Sequence, residues 1–309
     1  MKSPASHVNR GFALATGTAV ALLALTVAPG AEERHNTLAS LTVQNECDRL
    51  AGSPNDNQRN ATYGAVDTAQ IDAAAVDACR LAFEATGNPR FAYQLGRALN
   101  KAEDADRAMA AYDAAVQADY PAAKVNFGML LGRLGDQEAE FKMYTEAANS
   151  GNALGSYNLG VAYRDGLGTQ PDVNKALHWF QTAASAGDDT AAFNIAVIYD
   201  EGQMVTEDDQ TAIAWYDLAV ARGNVDAMVN LGIMLETGEG IQADPQQAAE
   251  LYALAAQKGD EFAANKLLEL HDSGAVAPPA MTQLEDGMMN TLVLKEGDME
   301  TPATLAKDI

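Results

Sequence analysis

Residues 157–188 read YNLGVAYRDGLGTQPDVNKALHWFQTAASAGD. The opening phrase returns thirty-six residues later as FNIAVIYDEGQM (193–204) and thirty-six after that as VNLGIMLETGEG (229–240). Thirty-two residues before it stands VNFGMLLGRLGD (125–136). A fixed period of this length is the signature of a repeat architecture. Gly96, Gly128, Gly160, Ala196 and Gly232 share one register, and Asn126, Asn158, Asn194 and Asn230 precede it by two. Tyr112, Tyr144, Phe180, Tyr216 and Tyr252 form a second register, and Gly151, Gly187, Gly223 and Gly259 another.

Each unit reads as two helices. Helix A carries the Asn-Leu-Gly phrase. A glycine turn follows, and an aspartate such as Asp172 or Asp244 opens helix B as its cap. Pro245 suits the first helical position. Helix B closes at a glycine able to take the left-handed conformation. One such pair cannot bury its own apolar surface, whereas stacked pairs can, so the pattern predicts an all-α chain folded as an α-solenoid, a right-handed superhelix. The pattern starts near Asn88 and decays around Gly274, with 262–274 expected as a last helix A that acts as a cap.

The quoted string resembles a Sel1-like repeat, a relative of the tetratricopeptide repeat. The Asn-Leu-Gly phrase, Tyr163, Gly166-Leu167-Gly168, Asp172 and the Trp179, Ala183–Ala184, Gly187 series carry the resemblance. Units 153–188, 189–224 and 225–260 match well. The two earlier units have 32 residues, lack the full Gly-x-Gly turn and are closer to tetratricopeptide style. Ala196, Leu235 and Leu251 depart from the pattern. The resemblance implies a helix-turn-helix solenoid that acts as a non-catalytic scaffold or adaptor.

The first thirty-one residues read differently. Lys2 and Arg10 precede an uncharged, apolar and small-residue run that ends at Ala31. This is the pattern of a secretory signal peptide, with cleavage expected after Ala28 or Ala31. An uncleaved anchor is the alternative, because the run approaches spanning length. Two cysteines, Cys47 and Cys79, follow. Behind a signal peptide an even count predicts a disulfide, against the alternative of two separate buried thiols. The resulting division is a signal peptide (1–31), a leader with a capping helix (32–87), the repeat solenoid (88–275) and a tail (276–309). The leader also resembles segments found ahead of such repeats in secreted bacterial proteins, which implies a periplasmic location. There the disulfide would pin the preceding loop over the open end of the solenoid. The tail holds the apolar run MMNTLVL (288–294), read as a loose segment or a short docking element.

The formal charge of the 309 residues is −23, and loss of Lys2 and Arg10 with the signal peptide takes it to −25. Such a surface disfavours nucleic acid and anionic lipid. His7, His35, His178 and His271 have no partner at metal-ligand spacing, and no nucleophile elbow or nucleotide loop is present. No catalytic residue, metal or cofactor is expected.

Two polar patterns invite a binding role. The recurring asparagine reads either as a ladder of amides for a peptide backbone or as structural amides that satisfy a neighbouring unit. The positions three before and one after the glycine register share a helix face: Tyr93 and Arg97, Val125 and Met129, Tyr157 and Val161, Phe193 and Val197, Val229 and Ile233. By similarity to tetratricopeptide repeats this face points into the concave groove; packing between successive helices A is the alternative. Arg90, Arg97 and Lys101 lie on the same side, and Arg133 repeats the Lys101 register. The expected site is therefore a protein-binding groove with Arg90, Arg97, Lys101 and Arg133 as its basic wall. Tyr93, Met129, Tyr157 and Phe193 form its apolar floor. Its expected ligand is a protein or peptide partner carrying an acidic segment or a free C-terminal carboxylate. The alternatives are a secreted hydrolase acting on peptidoglycan or β-lactams, and a bridge that binds cell-wall polymer.

Overall fold

The computed structural model describes residues 29–277, with side chains from residue 40 onward. Residues 1–28 of the expected signal peptide and the tail run at 288–294 lie outside the described residues. Thirteen α-helices and one 3-10 turn, Thr68–Gln70, make up the described chain, and no strand occurs in it. They are α1 (Pro29–Ala51), α2 (Ala74–Thr86), α3 (Pro89–Lys101), α4 (Ala105–Gln117), α5 (Pro121–Arg133), α6 (Gln137–Asn149) and α7 (Ala153–Asp165). Then follow α8 (Val173–Ser185), α9 (Asp189–Glu201), α10 (Asp209–Ala221), α11 (Val225–Thr237), α12 (Pro245–Gln257) and α13 (Glu261–Asp272). From α3 onward, odd numbers are helices A and even numbers helices B. The chain is an α-solenoid.

The starts of these helices explain much of the acidity. Asp104, Asp136, Asp172, Asp188, Asp208, Asp244 and Asp260 each accept a hydrogen bond from a backbone N–H in the first turn of the helix they precede. Asn88, Asn152 and Asn224 do the same for α3, α7 and α11. Each cap contributes about 1 kcal/mol, and a carboxylate there also meets the positive end of the helix dipole.

The glycine register sets how closely A and B approach. A Cβ on Gly96, Gly128, Gly160 or Gly232 would fall 2.5–2.9 Å from the ring of Tyr112, Tyr144, Phe180 or Tyr252. A side chain there would force the two helices apart. The four residues that separate a 36-residue unit from a 32-residue one build the turn after helix A. In that turn Gly168 lies against the start of α6, where a Cβ would collide with the Gln137 carbonyl oxygen. Gly240 lies against the start of α10 in the same way, and its carbonyl accepts from Gln210 Nε2. These two longer turns thus reach back to the preceding unit. Both glycines have positive φ, +66° and +64°, which a side chain would strain.

The buried side chains form two large clusters and a small one. One runs from Cys47 to Leu130, the other from Ala176 to Val276. Val125, Tyr144, Ala147, Ala148 and Leu159 bridge the middle.

The leader differs from expectation. Cys47 and Cys79 are joined, with Cα atoms 4.7 Å apart. The disulfide pins a helix, however, because Cys47 lies on α1. The irregular segment comes after it, between Ala51 and Ile71.

Candidate interaction surface

Successive helices A touch one another, α3 with α5 and α5 with α7, while successive helices B make no comparable contact. Helices A therefore line the inner, tighter side of the stack. One stripe of each faces inward: the positions three and two before the glycine register and one, four and five after it. Tyr157, Asn158, Val161, Arg164 and Asp165 form it on α7, and Phe193, Asn194, Val197, Asp200 and Glu201 on α9. Val229, Asn230, Ile233, Glu236 and Thr237 form it on α11.

The asparagine register works between units. Asn158 and Asn194 each donate to a carbonyl one turn back, of Leu154 and Thr190. Asn194 Oδ1 accepts from Arg164 on the preceding helix A. Asn230 Nδ2 donates to the Tyr216 hydroxyl at 3.0 Å, which donates in turn to Asp200 Oδ2 at 2.8 Å. One amide thereby ties α11 to α10 and α9. Tyr252 likewise donates to Glu236, whose other oxygen accepts from Lys266 of α13. Each of these three amides is hydrogen-bonded within the protein, and those of Asn194 and Asn230 join neighbouring helices.

At the N-terminal end the inner stripe is covered. The segment 52–67 lies across α3 and α5 and takes up the basic wall read from the sequence. Arg97 is 2 % exposed. Its Nη1 donates to the Ala51 carbonyl at 2.6 Å and its Nη2 to the Val66 carbonyl at 2.7 Å. Arg90 pairs at 2.9 Å with Asp48, itself 1 % exposed and also bound by Gln94 Nε2 and Asn60 Nδ2. Tyr93 is buried against Tyr112 and Tyr120, and burial pushes its phenol up to about 12. Tyr120 donates to Asp56 Oδ2 of the covering segment at 2.7 Å. Arg90, Tyr93 and Arg97 are therefore corrected from partner-facing groups to anchors of the leader. One carboxylate does meet the basic wall, and it belongs to this chain: Asp48 of α1, paired with Arg90.

The remaining predicted residues stay accessible. Lys101 and Arg133 are exposed, the latter donating to Asn100, and Met129 is 53 % exposed. Tyr157 and Phe193 are half-buried and lean on Phe180 and Tyr216, with ring centroids 5.9 and 6.0 Å apart. Sequence reasoning missed the leader contacts, which join residues up to 64 positions apart and follow no period.

Elsewhere the structure offers little chemistry. A cavity of about 680 Å³ lies beside α6, lined by Phe141, Lys142, Thr145, Glu146 and Gly168 among others. Its one hydroxyl, that of Thr145, donates to the Phe141 carbonyl at 2.9 Å. Among the described residues no cluster of His, Cys, Asp and Glu is arranged to hold a metal ion. No described helix is long and apolar enough to cross a membrane.

A stack of paired helices with a continuous inner face defines a repeat scaffold. Residues 153–188, 190–224 and 225–260 match the Sel1 repeat family, so over this stretch the chain is a Sel1-repeat solenoid. The fold is similar to that of a protective antigen of uropathogenic Escherichia coli strains with an SLR fold. The two are 23 % identical with a TM-score of 0.63, over 79 % of this chain and 51 % of that one. It is also similar to a Sel1 repeat protein from Oxalobacter formigenes, at 26 % identity and a TM-score of 0.56, over 62 % of this chain and 81 % of that one. The chain thus spans about half the length of the first of these structures. No curated protein matches the sequence. Proteins built from Sel1 repeats are generally scaffolds for protein–protein interaction.

Proposed function

We propose that the protein is a non-catalytic periplasmic scaffold, exported by residues 1–31, that holds a partner protein along the open part of its inner face. The observation that carries this reading is the apolar strip left uncovered beyond the leader. Met129, Val161, Phe193, Val197 and Ile233 line successive helices A and remain accessible, while the chain's own leader closes the stretch before them. A solenoid presents such a strip as a continuous groove for an extended segment or a helix. The disulfide supports an oxidising compartment. Lys101 and Arg133 stand at the mouth of the covered end, where they can receive a carboxylate of the partner.

Site-specific photocrosslinking in intact cells tests the reading. A benzophenone side chain at Phe193 or Val197 is expected to capture a discrete partner, whereas the same group at exposed Glu138 on α6 captures none. Equal capture at both positions, or capture only at Glu138, would discard the inner face as the site.

A further inference from the structure

The inner stripe changes sign along the solenoid. On α3 and α5 its charged residues are Arg97, Lys101 and Arg133, with Arg90 one turn before it on α3, all basic. On α7 it is balanced, with Arg164 paired to Asp165 at 2.7 Å. From α9 to α13 it carries Asp200, Glu201, Glu236, Glu269 and Asp272, with Asp226 one turn before it on α11, against one base, Lys266. Lys266 is held by Glu236 at 2.9 Å and Glu269 at 3.4 Å, so it is already committed. At the basic end Asp48 of the same chain pairs with Arg90, and the acidic end has no basic cover within the described chain.

The two ends therefore make different demands on a ligand. At the covered end Arg90 pairs with Asp48 and Arg97 is spent on the Ala51 and Val66 carbonyls, while Lys101 and Arg133 stay exposed. At the open end an apolar floor (Val197, Val229, Ile233) runs beside carboxylates held in place. Asp200 and Glu236 each accept a tyrosine hydroxyl from below at 2.8 Å. Glu201 and Asp226 stand exposed at opposite ends of neighbouring helices. An acidic ligand would meet like charge along this stretch, which disfavours it.

Building on the scaffold reading above, we propose that the segment bound in the open half of the inner face is cationic and apolar, with Lys or Arg side chains over α9–α13 and aliphatic side chains on the Val197–Ile233 floor. The apolar floor supplies most of the affinity, since exposed ion pairs contribute only about 0–1 kcal/mol each. The carboxylates supply polarity, selecting the sign and direction of the segment and speeding its arrival. Over this open half the expected partner chemistry is thus inverted: the segment bound there is basic rather than acidic.

Fluorescence anisotropy on the oxidised, signal-free protein tests this with three labelled peptides of equal length. They are an alternating Leu–Lys peptide, its Leu–Glu counterpart, and a Ser–Lys peptide of the same charge without apolar side chains. The Leu–Lys peptide is expected to bind at least tenfold more tightly than either of the others. Reversing Glu201 and Asp226 together (Glu201→Lys, Asp226→Lys) is expected to weaken it at least tenfold. Reversing exposed Asp106 and Glu138 on helices B, which changes the net charge equally, is expected to weaken it less than threefold. Equal losses in both double variants would overturn the proposal, because attraction would then be diffuse. So would equal binding of the Leu–Lys and Ser–Lys peptides. If the Leu–Glu peptide binds as well and Val197→Ser weakens it, the groove stands and only the cationic assignment falls. If Val197→Ser affects no peptide, the groove reading itself falls.

Discussion

In the first two units, side-chain ties reach as far as 64 residues along the chain, from Tyr120 to Asp56, and a covalent bond joins Cys47 to Cys79. Between α7 and α13 the ties reach no further than the 35 residues from Asn224 to Asp189. The later region is a stack in which each unit meets only its neighbours, so its stability is close to a sum of adjacent interfaces. The earlier region is closed by non-local contacts like those of an ordinary globular domain. It gains a sealed end and gives up its inner face. The small middle cluster around Tyr144 and Leu159 is where the two regimes meet.

The disulfide is the largest lever on this contrast. Its closure spans 32 residues, for which the chain-entropy account gives about 3–4 kcal/mol. The double variant Cys47→Ser, Cys79→Ser should lose about that much from the N-terminal region. Native-state hydrogen exchange should show faster opening of α1–α3 with α9–α12 unaltered. Uniform loss along the chain would mean that the solenoid unfolds as one unit.

Arg97 comes next. Replacing it with Ala leaves the Ala51 and Val66 carbonyls without their donor, at about 1–3 kcal/mol for each buried group so abandoned. A loss near 3 kcal/mol is expected in denaturant unfolding, again confined to the leader and α3. A variant as stable as the wild type would restore Arg97 to the partner-facing role that its register suggested. The converse experiment lies in the later region. Gly160→Leu drives a side chain into Phe180, since even a Cβ would stand 2.6 Å from the ring. It should cost about 1–3 kcal/mol, felt by α7, α8 and their neighbours but not by α1–α3.

These examples show what periodicity conveys and what it omits. The glycine, asparagine and aromatic registers recur because one interface is repeated, so a single sequence exposes them. The aspartate caps are legible for the same reason. Arg97 stands in the same register as Met129 and Val161. What covers that face could not be read, because the segment 52–67 has no period and is held by single hydrogen bonds from Arg97, Asn60 and Tyr120. The helix over Pro29–Ala51 was missed likewise, as its sequence gives little apolar periodicity to find. Of the groove proposed for the open half, the register picks out Tyr157 and Phe193 but not the polarity around them. The acidic stripe emerges only when Asp200, Glu201 and Glu236 are placed on the same face as Val197 and Ile233.

A single carboxyl gives the smallest and most selective probe of the contrast. Asp217 on α10 occupies the register that Asp113 occupies on α4. Asp113 accepts a hydrogen bond from Gln117 Nε2 at 2.6 Å. Asp217 is largely buried, and burial alone pushes its carboxyl up to about 6. A raised carboxyl pKa means that the fold favours the neutral form. Below about pH 3 the group is protonated in both folded and unfolded states and costs nothing. Between about 3 and 6 the unfolded chain ionises while the folded one resists, so stability falls, and the full cost is present above 6. Asp217→Asn should therefore leave stability unchanged near pH 3 and raise it by about 1–2 kcal/mol at pH 7–8, after allowance for the partial exposure of the group. Chemical unfolding at the two pH values reads the difference directly. The same change at Asp113 should show no such gain at pH 7–8. A gain of equal size at both positions would place the effect in the general acidity of the surface, and no gain at Asp217 would mean that solvent reaches its carboxylate.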